Sequence, residues 1–128
     1  MLKTSTAFSS FSVSDLAGAK KFYSETLGLD VREIPEGLEL HLANSTQIFI
    51  YPKQDHSPAT FTVLNFIVDD IETEVDGLAQ KSVVMEAYNI PPYIITDEKG
   101  IAGKSGDPRR MAWFKDPAGN ILSLIQEK

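Results

Sequence analysis

The sequence opens the same way twice. Val13-Ser14-Asp15-Leu16 ends an alternating run and begins a helical pattern, and Val68-Asp69-Asp70-Ile71 does so again 55 positions later. In a chain of 128 residues, a repeat at that interval leaves room for two copies of one unit and a short connection. In the first copy, Ala7–Val13 alternates as a strand does, with Ser9, Phe11 and Val13 on one face and Phe8, Ser10 and Ser12 on the other. Leu16, Ala19, Tyr23 and Leu27 then recur at helical spacing, with Ser14 and Asp15 placed to cap the start and Gly28 to stop the end. Three strand-like runs follow, Leu29–Ile34, Leu38–Leu42 and Gln47–Tyr51, parted by Pro35-Glu36-Gly37 and Ala43-Asn44-Ser45.

The polar stretch 53–59 reads as a linker, after which the order starts again. Phe61–Val68 predicts a strand, and Ile71, Val75, Leu78 and Ala79 predict a helix. Lys81–Glu86, part of Tyr88–Ile101, Arg110–Lys115 and Ile121–Gln126 supply the closing strands. The expectation is one α+β domain of two βαβββ modules, about 7–52 and 60–126. One such module leaves a sheet face uncovered. Two side by side give a mixed sheet that curls into a cup with the helices outside.

Composition narrows the partners. The chain has no cysteine, which excludes disulfides, thiolate nucleophiles and Cys-type metal sites. A net charge of −6 argues against nucleic acid, whose binders need a clustered basic face. No apolar run approaches the roughly 20 residues that span a bilayer, and no apolar h-region follows Met1, so the expected location is cytoplasmic. The acids Asp69, Asp70, Glu72, Glu74 and Asp76 crowd the second helix start, where the helix dipole favours them on a solvated face. Arg109-Arg110 reads as a solvated pair rather than an anion contact. Gly103-Lys104-Ser105 precedes Pro108 and a strand, so it lacks the helix a phosphate loop requires.

Three stretches in order carry a family resemblance. Val13-Ser14-Asp15-Leu16 with Phe22-Tyr23 and Leu27-Gly28-Leu29 resembles the first module of the vicinal oxygen chelate superfamily, which includes glyoxalase I, extradiol dioxygenases, and fosfomycin and bleomycin resistance proteins. Phe66-Ile67-Val68-Asp69-Asp70-Ile71 resembles the start of its second module. The run from Trp113 to Leu122, with Asp116-Pro117-Ala118-Gly119-Asn120 at its centre, resembles its closing hairpin. That central run also suits a tight turn on its own chemistry. In metal-dependent members each module supplies two His, Glu or Gln ligands, from its first and last strands. The corresponding positions here are Phe8, Phe49, Val63 and Ser123, and none offers imidazole or carboxylate. The expectation is no metal and no cofactor.

Strand alternation then predicts the lining of the cup. The ligand-binding candidates are Phe8, Ser10, Phe49, Tyr51, Val63, Asn65, Trp113 and Ser123, with Ser12, Gln47, Ile67 and Ile121 on the same faces. Apolar walls with a few neutral polar groups suit a small organic molecule. Glu39 and His41, two apart on one strand, are the catalytic candidates, while His56 falls in the linker as a solvated residue. The irregular stretch from Tyr88 to Arg110 reads as a loop or lid. The leading expectation is a metal-free small-molecule-binding protein of the bleomycin-resistance type, a homodimer holding its ligand in the cup or between protomers. The alternative is a lyase or isomerase using a displaced metal or His41 and Glu39 as acid and base.

Overall fold

The computed structural model describes residues 1–92 and 94–127, and the chain divides into two compact units, Met1–Pro58 and Ala59–Lys128. In the first, β1 (Ser9–Val13) leads into α1 (Leu16–Lys21), whose last turn widens into a π-helical stretch at Phe22–Thr26. Three strands follow: β2 (Asp30–Ile34), β3 (Gly37–His41) and β4 (Gln47–Pro52). The sheet order is β1-β4-β3-β2, with β1 parallel to β4 and the other pairs antiparallel. Only the first strand needs a helical crossover to reach its neighbour; short turns join the rest. Phe11, Val13, Leu38, Leu40, Ile48 and Ile50 are buried, as are Ala19 and Tyr23 of the helix. The Tyr23 ring lies 6.2 Å from that of Phe11, so this face of the sheet packs under the helix.

The second unit repeats the plan. β5 (Thr62–Val68) precedes α2 (Ile71–Gln80), and a short ribbon, β6 (Asn89–Ile90) with β7 (Ile94–Ile95), comes before β8 (Ile101–Ala102), β9 (Arg109–Lys115) and β10 (Ile121–Glu127). The sheet order is β5-β10-β9-β8, again with the first strand parallel to the last. Leu64, Leu122, Leu124 and Phe114 are buried together with Ile71, Val75 and Leu78 of α2. The architecture is α+β, with two mixed sheets of four strands each. No helix among the described residues is long and apolar enough to cross a membrane.

Three local expectations are corrected. Lys81–Glu86 is not a strand. Residues 81–83 finish α2, since the Ser82 and Val83 amides donate to the Ala79 and Leu78 carbonyls, with Ser82 at φ +66°. Among the described residues, the Glu86 amide alone of this stretch donates to β9, at the Trp113 carbonyl (2.8 Å), and one bond is no ladder. The stretch from Tyr88 to Arg110 is more regular than a loose lid: it carries β6, β7 and β8, and Asp97 Oδ1 accepts from the Lys99 and Ile101 amides (both 2.9 Å). Tyr93 within it lies outside the described residues. Arg110 is no solvated residue. It is 7% exposed, and its guanidinium donates to Glu72 Oε2 (2.7 Å) on α2 and to the Gly103 carbonyl (3.3 Å). Arg109 does stay at the surface, paired with Glu127.

Three of the acids at the start of α2 are therefore engaged. Asp70 caps the helix by accepting from the Thr73 amide and hydroxyl (3.3 and 2.9 Å). Lys99 lies between Glu72 and Asp76 (3.3 and 3.1 Å). Hydrogen bonds from Arg110, then from Lys99, hold the Glu72 carboxyl below its usual value of 4.5. A carboxyl lowered in the folded state adds stability above its unfolded value, and that stability is lost as pH falls through the folded one. Wild type is thus expected to be more stable than Arg110→Met at pH 7, with the gap narrowing below about pH 4. Urea unfolding of both proteins between pH 7 and 3 checks this, and a constant gap defeats it.

Candidate functional site

Alternation leaves the first sheet with one face that the helix does not cover. Register aligns Arg32, Glu39, Phe49 and Ser10 in one row across β2, β3, β4 and β1. Two residues along, Tyr51 lies opposite Ser12 on this face; in the other direction His41 lies opposite Gln47. The Phe49 and Tyr51 rings stack, with centroids 5.6 Å apart and planes 21° from parallel. Beside them is a pocket of about 230 Å³, lined by Phe8, Ile34, Glu36, Glu39, Gln47, Ile48 and Phe49. Phe8, Gln47 and Ile48 also line a neighbouring groove of about 680 Å³, whose other walls are Thr6, Ala7, Ser9, Ser45 and Thr46.

Hydrogen bonds hold some of the polar groups on this face. His41 Nε2 is 3.0 Å from Glu39 Oε1, and both side chains are partly buried. Arg32, the neighbour of Glu39 on β2, turns instead to Asp30 (3.1 Å), and this hydrogen bond lowers the Asp30 pKa. His56 departs from the expected solvated linker residue: its Nδ1 lies 2.7 Å from Ser12 Oγ, partly buried. The Lys53 amide donates to the Val13 carbonyl and the His56 amide to the Lys53 carbonyl, so the chain after β4 folds back along the end of β1.

The second sheet holds the remaining candidates. Register sets Asn65, Ser123 and Trp113 in a row across β5, β10 and β9. The Ser123 hydroxyl donates to Asn65 Oδ1. Ser123 and Trp113 are buried, and Tyr88 meets the Trp113 ring edge-on at 5.3 Å. Burial, then the nearby Glu86 charge, raises the Tyr88 phenol. Val63 is partly buried, whereas Ile67 is 75% exposed.

Of the sequence candidates, Phe8, Phe49 and Glu39 thus share one pocket, His41 supports it, and Tyr51 stacks on its wall. Ser10 lies on the same face outside the lining, while Val63, Asn65, Trp113 and Ser123 belong to the other unit. Sequence reading missed Ile34, Glu36 and Ile48 as lining residues. Alternation with Asp30 and Arg32 opposite the Glu39 and His41 strand was the signal for Ile34, whereas Glu36 lies in the turn beyond β2 and had none.

A family model for the glyoxalase/bleomycin resistance protein/dioxygenase superfamily matches residues 7–124. The chain belongs to this superfamily. Solved structures of other proteins share its fold. TnmS3, an antibiotic binding protein from Streptomyces sp. CB03234, is 23% identical, with 98% of each chain covered and a TM-score of 0.64. The fosfomycin resistance protein FosX from Listeria monocytogenes is 12% identical, with 98% of this chain and 94% of its own covered and a TM-score of 0.71. A glyoxalase family protein from Enterococcus faecalis is 21% identical, with coverage of 98% and 99% and a TM-score of 0.70. No curated protein matches the chain.

The superfamily resemblance raises a metal, and the residues present do not fit one. The strand positions that would supply ligands hold Phe8, Phe49, Val63 and Ser123. Two rings, an alkyl group and a hydroxyl already bonded to Asn65 make no cation site. Among the described residues no three His, Cys, Asp or Glu side chains come together as a metal requires.

Proposed function

We propose that this superfamily member binds a small organic molecule in the pocket of its first unit, without a metal, as a cytoplasmic homodimer. The observation that carries the reading is the pocket: Phe8, Ile34 and Phe49 form apolar walls, and Glu39 and Gln47 offer polar groups to orient a ligand. Its 230 Å³ is below the roughly 300–1,000 Å³ usual for drug-sized ligands, which favours a small ligand or a wall lent by a second copy. Phe8, a lining residue of the pocket, is 71% exposed, so that wall is open to a second copy. A chain without cysteine needs no oxidising compartment. TnmS3, described as antibiotic binding, offers a precedent for this role in the same fold.

One observation supports a second reading, a lyase or isomerase. The 3.0 Å contact gives Glu39 an orienting partner in His41, as a general base at the pocket wall would need.

A thermal-shift screen of small organic molecules, run with and without Ni, Zn and Mn, tests the leading reading, with light scattering for the dimer. A ligand that binds only the native state raises apparent stability by RT ln(1 + [L]/Kd), about 2.7 kcal/mol at a hundredfold excess over Kd. The expected result is a hit whose shift is independent of metal and lost in Phe49→Ala. Stoichiometric bound metal, or hits that need metal, overturn the metal-free reading. Consumption of the hit by wild type but not by Glu39→Gln selects the enzyme.

A further inference from the structure

We propose that the first-unit pocket selects an organic cation: a compact or aromatic apolar body carrying a quaternary or protonated amine. The proposal rests on the ligand-binding reading above and adds the chemical class. Of the seven lining residues, Glu36 and Glu39 are acidic and none is Lys, Arg or His. The rest of the wall is aromatic or aliphatic except for Gln47. A cation placed between Phe8 or Phe49 and a carboxylate gains from the ring face and from the charge together.

The surroundings make the negative charge available to a ligand. The cation closest to Glu39 in the sheet, Arg32, is engaged with Asp30. His41 takes Glu39 Oε1 from the flank, which fixes the carboxylate, and Oε2 meets no protein donor among the described residues. A neutral molecule without a donor seated over Glu39 would strip water from that oxygen and return nothing, and a neutral donor would return a single hydrogen bond without an opposite charge. An anion would face both carboxylates. A cation returns a full opposite charge for the desolvation, and the chain's net charge of −6 favours its approach.

Three soluble probes that share a benzyl body isolate the charge: benzyltrimethylammonium, benzyl alcohol and phenylacetate. Each is titrated into the full chain while backbone amide shifts of β3 and β4 are followed by NMR. The cation is expected to move these amides with a Kd at least tenfold below that of benzyl alcohol, with phenylacetate weakest. Glu39→Gln brings the cation to the level of benzyl alcohol, while Phe49→Ala weakens both. Benzyl alcohol or phenylacetate binding as well as the cation at these amides overturns the cation class and leaves the pocket standing. No movement of these amides with any probe overturns the pocket reading itself. The ranking on wild type decides the matter even if a variant fails to fold.

Discussion

Gly37→Ala is expected to destabilise the protein by about 3 kcal/mol or more and to abolish ligand binding with it. A Cβ built on residue 37 would lie 2.1 Å from the Ile50 carbonyl oxygen and 3.1 Å from Tyr51 Cα. Both are backbone atoms of β4, so no side chain can swing aside. β3 would have to move off β4 at the point where Leu38 pairs with Ile50, one step from the pairing of Glu39 with Phe49. The pocket needs that second pairing, because both residues line it. Gly77→Ala is the matched control. It lies inside α2 with nothing within 4 Å of the new Cβ, so alanine is expected to add up to about 1 kcal/mol through helix propensity. Urea midpoints of the two variants should move in opposite directions from wild type. A Gly37→Ala protein with the wild-type midpoint defeats the close-approach argument.

Gly37 also shows how far sequence reading reaches. Pro35-Glu36-Gly37 was legible as a turn, but the approach of the Ile50 carbonyl is a long-range fact that no local pattern carries. The same boundary recurs elsewhere. Two βαβββ orders were readable because alternation is local: Phe11 and Val13, Ile48 and Ile50, Leu122 and Leu124 are buried as their spacing requires. Asp70 caps α2 with its side chain, whereas Asp15 stands at the N-cap of α1 without a side-chain cap bond. Val83, Val84 and Met85 look like a strand by composition, yet the left-handed Ser82 that ends α2 consumes the start of that stretch. Arg110 alternates with the buried Ala112 and Phe114, which signalled an inward side chain, but the charge pattern spoke louder. His56 owes its place to Ser12, 44 positions away, and nothing in the polar linker announces that bond. In the pocket, Phe8, Phe49 and Glu39 followed from strand faces. Ile34 and Glu36 did not, because they sit where β2 gives way to a turn.

Asp116→Ala is expected to cost about 3 kcal/mol, and the reason defines what the most family-like motif of the chain does. Asp116 is 4% exposed, and its Oδ1 accepts from the Ala118 and Asn120 amides (both 2.9 Å) while Oδ2 accepts from Asn120 Nδ2 (3.0 Å). The backbone adds an Asp116 amide bond to the Asn120 carbonyl and a Gly119 amide bond to the Asp116 carbonyl. Alanine would remove the carboxylate to which the two amides and the Asn120 side chain, itself 2% exposed, donate. Each such loss costs roughly 1–3 kcal/mol, and the three overlap because they belong to one turn. Asp116→Asn keeps an acceptor for the two amides and sets an amide nitrogen against Asn120 Nδ2, so a smaller loss of about 1 kcal/mol is expected. Urea unfolding ranks the three proteins, and hydrogen exchange of β9 and β10 amides locates the loss. The turn fixes the pairing of Lys115 with Ile121, and β10 in turn pairs with both β9 and β5, so exchange should rise along the Ser123 row as well. Wild-type exchange there in Asp116→Ala would mean that the hairpin holds its register without the carboxylate. The expected pattern makes Asp116-Pro117-Ala118-Gly119-Asn120 a device that sets the register of the closing hairpin rather than a binding site.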